Sequence, residues 1–164
     1  KVTLLDTGLN TMTGGRLLRA KDFIGDETFM MTYGDGLADI DINELINFHK
    51  KNDQIATLTA VQPSGRFGAI KTDKNNNIVH FQEKPDGDGA YINGGFFILK
   101  PEVFGYLKND TTIFERSPLE EMAKDRQLNA YNHHGFWMAM DKLSDKNKLE
   151  EMWNLGNATW KIWN

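Results

Sequence analysis

Residues able to do chemistry recur directly after apolar runs in this sequence. The run Phe29–Tyr33 ends in Gly34-Asp35-Gly36, and Ile78–Gln82 ends in Glu83-Lys84-Pro85. Asn93-Gly94-Gly95 lies within the run Tyr91–Leu99, and Asp141 follows Phe136–Met140. That set suits a divalent metal ion together with a polyhydroxylated phosphate. Carboxylates are hard oxygen donors, a lysine neutralises a phosphate, and glycine lets backbone come close to a ligand. Singly, each stretch has a blander explanation. Gly-Asp-Gly marks a turn more often than a metal site. Glu83-Lys84-Pro85 would serve as a solvated strand end, Asn93-Gly94-Gly95 as a bulge, and Asp141 as the start of a last helix. Their joint placement at strand ends shifts the balance, because open parallel sheets bind ligands beyond the carboxyl ends of their strands.

The elements that would position these residues follow from hydrophobic periodicity. Val2–Leu5 reads as a short buried strand, and a weak helical pattern runs from about Arg16 to Phe23. Thr28–Thr32 has strand length. Ile42, Leu45, Ile46 and His49 fall on one helical face, with Asp41 at the N-cap and Glu44 three residues on. Ile55–Val61 is β-branched and strand-like. Ala69–Thr72 and Ile78–Gln82 form a hairpin around Asn75-Asn76-Asn77. Ser117-Pro118-Leu119-Glu120 predicts a capping box with proline at the first helical position. Leu128–His133 and Phe136–Met140 are short strands, and a last helix spans Ser144–Leu155 with Gly156 as its stop. Strands alternating with helices imply an α/β fold: one domain over 1–164, with a mostly parallel sheet, flanking helices and an antiparallel hairpin insertion.

Composition narrows the possible functions. The chain has 164 residues, 40% apolar and 26% charged, as in an ordinary globular domain. With no cysteine it has neither a disulfide scaffold nor a cysteine nucleophile, which suits a reducing, cytoplasmic setting. A net charge of −4 argues against nucleic acid as partner. No apolar run is long enough to span a membrane, and no export leader opens the chain. His133-His134 lacks further ligands at zinc spacing, so packing is the better explanation. His49 sits on an apolar helical face. Trp153, Trp160 and Trp163 suit core or interface anchors, and Gly14-Gly15-Arg16 is too short for a phosphate-binding fingerprint. A strand beginning at Lys1 suggests a piece of a longer polypeptide.

The stretches "DTGLNTMTGGRLLR", "TYGDGLADIDI", "FQEKP", "YINGGFFI" and "GFWMAMDKLSDKNKLEEMW" together resemble the sugar nucleotidyltransferases over essentially the whole chain. Within that family the first and last point to the branch that makes CDP-glucose from CTP and glucose 1-phosphate. The resemblance implies a Rossmann-like, mostly parallel mixed sheet, the nucleotide-diphospho-sugar transferase fold. It implies that Asp35 and Asp141 hold catalytic Mg²⁺ and that Lys84 faces the sugar phosphate. Glu83 and Asn93 would bond sugar hydroxyls, Gly34 and Gly94 would admit the ligand, and Arg16 would contact an anion. Where the family carries a small hydroxyl residue after the second aspartate, this chain has Lys142. The family's glycine-rich nucleotide loop has no counterpart here, so the chain resembles the C-terminal, sugar-binding part, expected to be inactive alone. A homo-oligomer is expected for the full-length form. The alternative is a non-catalytic sugar-phosphate-binding or regulatory domain of the same fold.

Overall fold

A computed structural model describes residues 1–63, 69–82 and 90–162. Its elements are α1 (Thr13–Arg19), α2 (Lys21–Ile24), β1 (Phe29–Thr32), β2 (Gly36–Ala38), α3 (Ile42–Asn52) and β3 (Ala56–Val61). They continue with β4 (Ala69–Thr72), β5 (Ile78–Gln82), β6 (Ile92–Leu99), α4 (Ser117–Lys124), β7 (Leu128–His133), β8 (Trp137–Ala139) and α5 (Leu143–Asn154). A 3₁₀ helix covers Pro101–Tyr106. A four-stranded sheet runs in the order β1-β6-β3-β7, and β2-β8 and β4-β5 form two-stranded ribbons. The fold is α/β with a mixed sheet, as expected from the alternation of strands and helices. No helix among the described residues is long and apolar enough to cross a membrane.

The chain divides into two compact units. The first comprises Lys1–Thr32, Ile42–Leu58 and Phe96–Tyr131; the second comprises Tyr33–Asp41, Thr59–Gly95 and Asn132–Asn164.

In the first unit, β1 pairs antiparallel with β6, from Phe29↔Leu99 to Thr32↔Phe96. Phe97 meets Phe114 edge-on at 5.6 Å, and Leu45, Leu99, Val103 and Met122 are buried with them. The sequence pattern placed Leu45 and His49 on one face of α3, and both are buried. The His49 Nδ1 lies 2.8 Å from the Thr57 hydroxyl, so the ring is held as a core residue. α1 begins at Thr13, earlier than the apolar pattern suggested. Its first N–H groups are satisfied by another segment: Met12 donates to the Asp110 carbonyl at 2.8 Å and Gly14 to the Thr112 carbonyl at 2.9 Å. This docking needs bare backbone. A Cβ on Gly15 would lie 2.5 Å from the Asp110 carbonyl oxygen and 2.6 Å from its Cα.

Two expectations fail here for identifiable reasons. Val2–Leu5 forms no strand, and Val2 and Leu4 are 88% and 92% exposed. A strand needs a neighbour for its backbone groups, and none of the described strands pairs with this one. The Ser117 capping box also does not form. α4 takes Arg116 as its N-cap and makes no side-chain cap bond, because Ser117 already lies inside the first turn with Pro118 behind it.

In the second unit, Ile40, Ala60, Val61, Leu149 and Trp160 are buried, and Phe136 lies 5.1 Å from Trp160. The β4–β5 hairpin closes as its turn residues suggest. The Asp73 Oδ1 accepts the backbone N–H groups of Asn75 and Asn77 at 2.8 and 2.9 Å, and Asn76 takes φ +63°. Asparagine tolerates that left-handed backbone better than most residues.

Two stability measurements check this packing. Gly15→Ala forces Asp110 backbone to move and should destabilise the protein by about 1–3 kcal/mol in urea unfolding. Gly105→Ala, whose Cβ would meet nothing within 4 Å, should stay within about 0.5 kcal/mol of wild type. The second measurement concerns His49, whose pKa is lowered by burial and then by Lys100. The unfolded chain therefore takes up this proton at higher pH than the folded chain. The contribution is fully present above about pH 6.5, the unfolded value, and is lost as pH falls towards the folded value. Between pH 7.5 and 5.5 the wild-type unfolding midpoint should fall more than that of His49→Gln; equal falls would contradict this.

Candidate active site

β2 and β8 form a ribbon of three pairs: Gly36↔Ala139, Leu37↔Met138 and Ala38↔Trp137. The ladder extends one position at each end. Met140 donates its N–H to the Asp35 carbonyl at 2.8 Å, and Asp39 donates to the Phe136 carbonyl at 3.2 Å. Asp35 therefore stands opposite Met140, and Asp141 is the next residue. The register places the two aspartates one position apart across one end of the ribbon, although 106 positions of sequence separate them (141 minus 35). Both are exposed. A Cβ on Gly34 would meet nothing within 4 Å among the described residues.

Asn93 and Gly94 attach to the same segments. The Asn93 Oδ1 accepts the Gly95 N–H at 2.9 Å, and its Nδ2 donates to the Tyr33 hydroxyl at 3.2 Å. An amide can make four hydrogen bonds, so each of its two atoms has capacity for one more. Tyr33 donates its own N–H to the Gly95 carbonyl at 3.0 Å. Gly95 takes φ +80°, and a Cβ there would lie 2.6 Å from the Tyr33 ring. Gly94 is glycine for a reason the sequence did not suggest. Its Cβ would lie 2.9 Å from Val61 and 3.0 Å from the Thr59 carbonyl, so packing alone already excludes a side chain. The Gly94 carbonyl accepts the Trp137 indole N–H at 2.8 Å.

Arg16 belongs to the first unit, where its guanidinium donates to the Thr7 hydroxyl at 2.8 Å and to the Leu9 carbonyl at 3.2 Å. Those bonds fix the segment before α1. Glu83 and Lys84 lie outside the described residues. Sequence reasoning did not single out Tyr33, Asp39 or Trp137. Their signal was adjacency: Tyr33 and Asp39 flank the Gly34–Ala38 stretch, and Trp137 opens the strand that leads to Asp141.

Asp35 and Asp141 each offer hard oxygen donors at this ribbon end. Among the described residues, no group of three or more His, Cys, Asp or Glu could hold a metal. One or two carboxylates are what Mg²⁺ takes from protein when substrate phosphates and water complete its shell, so the pair fits that ion.

The family model for nucleotidyl transferase matches residues 9–156. The chain belongs to the nucleotidyl transferase family. It is 52% identical over 163 residues to a protein of Salmonella typhimurium named glucose-1-phosphate cytidylyltransferase, covering 99% of this chain and 63% of that protein. It is 47% identical over 164 residues to a probable glucose-1-phosphate cytidylyltransferase of Bacillus subtilis, covering 99% and 64%. This nucleotidyl transferase chain thus spans under two thirds of these relatives' length. The solved structure of HddC from Yersinia pseudotuberculosis shares the fold, with TM-score 0.63 and 21% identity over 88% of this chain and 64% of that one.

Lys142 is the N-cap of α5, with extended backbone at φ −129° and ψ 158°. An ammonium group has no lone pair to accept the helix's first N–H groups. The helix start is held instead by Asp145, whose Oδ2 accepts the Lys142 backbone N–H at 3.0 Å. Lys142→Thr would restore an acceptor at the cap and should stabilise the protein by about 0.5–1 kcal/mol in urea unfolding. An unchanged or lower midpoint would show that the capping geometry is not limiting.

Proposed function

We propose that this chain carries the metal and sugar-phosphate sites of an enzyme that converts CTP and glucose 1-phosphate to CDP-glucose and pyrophosphate. The observation that supports it most is the β2–β8 ribbon, one exposed end of which carries both Asp35 and Asp141. The names of the relatives at 52% and 47% identity point to the same substrates.

In this reaction an oxygen of the sugar phosphate attacks the α-phosphorus of CTP in line. A new P–O bond forms, the α–β phosphoanhydride bond breaks, and pyrophosphate leaves with the bonding pair. The difficulty is electrostatic. Two unit charges ~4 Å apart repel by about 4 kcal/mol at an effective dielectric of 20. Left unrelieved, that costs about a thousandfold in rate. Asp35 and Asp141 would hold Mg²⁺, which supplies positive charge to the phosphates when bound. Lys84 would neutralise the attacking phosphate, and Glu83 and Asn93 would orient the sugar through its hydroxyls. No general base is needed, because a phosphate monoester is already ionised at neutral pH. A site without cysteine or a free histidine base is therefore adequate for this chemistry. The grip on the CTP triphosphate is assigned, in this scheme, to the part of the relatives' length that this chain does not span.

Each carboxylate should be indispensable in the longest natural polypeptide that carries this chain. Asp35→Asn and Asp141→Asn should each cut pyrophosphate release at least a hundredfold with little change in unfolding midpoint. Lys84→Ala should raise the KM for glucose 1-phosphate far more than that for CTP. Normal Mg²⁺-dependent turnover in Asp141→Asn would sink the metal assignment. A Lys84→Ala defect confined to the CTP KM would sink the division of substrates.

A further inference from the structure

The ribbon that carries Asp35 and Asp141 is too short to hold its own register. It has three ladder pairs, and two-stranded ribbons are marginal in water even when longer. Register matters here, since a slip of one residue turns every side chain to the other face. The ribbon is bonded at its opposite end by residues that the reaction does not use.

The His133 Nε2 lies 3.1 Å from the Phe136 carbonyl oxygen and 2.9 Å from the Asp39 Oδ1. Both oxygens only accept, so Nε2 must carry the proton. Phe136 adjoins β8 and Asp39 adjoins β2, so the imidazole sits between the two strands. The same Phe136 carbonyl accepts the Asp39 backbone N–H, closing the ladder. The His133 side chain is 10% exposed, and the Asp39 Oδ1 is shielded from solvent. The His133 contact falls within ion-pair distance of that oxygen but outside hydrogen-bond geometry, so the N–H donates to Phe136 with the Asp39 carboxylate packed beside it. A carboxylate oxygen buried with so little compensation is costly. The chain also keeps room for it: a Cβ on Gly135 would collide with the Asp39 Oδ1.

We propose that His133 and Asp39 are positioning residues that pin β2 against β8 in the register that brings Asp35 and Asp141 to one end of the ribbon. This rests on the metal role given to those two aspartates above. The test is amide hydrogen exchange at Met140, whose N–H donates to Asp35, in the longest natural polypeptide carrying this chain. It is paired with titration of Mn²⁺ alone, followed by the electron paramagnetic resonance of the free ion.

His133→Phe should speed exchange at Met140 at least tenfold, leave Val61 and Ile98 protected, and weaken Mn²⁺ binding at least fivefold. His133→Gln, which returns an N–H, should recover most of both. Wild-type protection at Met140 in His133→Phe would overturn the proposal. So would faster exchange with undiminished Mn²⁺ binding. If His133→Phe also loses protection at Val61 and Ile98, the isosteric Asp39→Asn decides by the same readouts, with unchanged exchange counting against the proposal. A wild-type protein that binds no Mn²⁺ would defeat the metal reading of Asp35 and Asp141, while exchange at Met140 would still decide the pinning.

Discussion

The pairing of Gly36 with Ala139 constrains everything proposed for this chain. Two carboxylates far apart in sequence become a candidate metal site only if two short strands meet in one register. The chain secures that meeting from several directions. Met140 bonds Asp35 at one end, and Asp39 and His133 bond Phe136 at the other. Trp137 ties β8 to Gly94 through its indole. Each bond is worth on the order of 1 kcal/mol in isolation. Their value here is directional, because together they leave few ways for the ribbon to slip.

Glycine makes this arrangement possible, for different reasons at different places. Gly94 is bare because Val61 and the Thr59 carbonyl occupy the space a side chain would need. A Cβ on Gly34 would meet nothing within 4 Å among the described residues, so none of them demands glycine there. A glycine that packing does not require, beside an exposed aspartate, is what close approach by a ligand would call for. The same residue type thus serves the core at one position and leaves access at another, and only the three-dimensional environment distinguishes them.

Much of this was legible in the sequence. The alternation of strands and helices gave the α/β class, and periodicity placed Leu45 and His49 on the buried face of α3. The strand-end positions of Asp35 and Asp141 were visible as residues following apolar runs. What the sequence could not carry was partnership. Val2–Leu5 has strand composition but no strand to pair with, and Ser117 has the right residue type one position too late to cap α4. The crowding around Gly94 was not legible either, because Val61 and Trp137 come from β3 and β8, which are distant in sequence. Asp39 and His133 were passed over for the same reason, since neither matches a motif and their relation exists only after β2 and β8 pair.

The central claim is that Asp35 and Asp141 act on one ion. It is tested most directly by soaking or co-crystallising the longest natural polypeptide with Mn²⁺ and the two substrates, and locating the metal by anomalous scattering. The account predicts a peak at the end of the β2–β8 ribbon, with one oxygen of Asp35 and one of Asp141 each about 2.1 Å away. A peak bound by only one of the two carboxylates, or by neither, would contradict it.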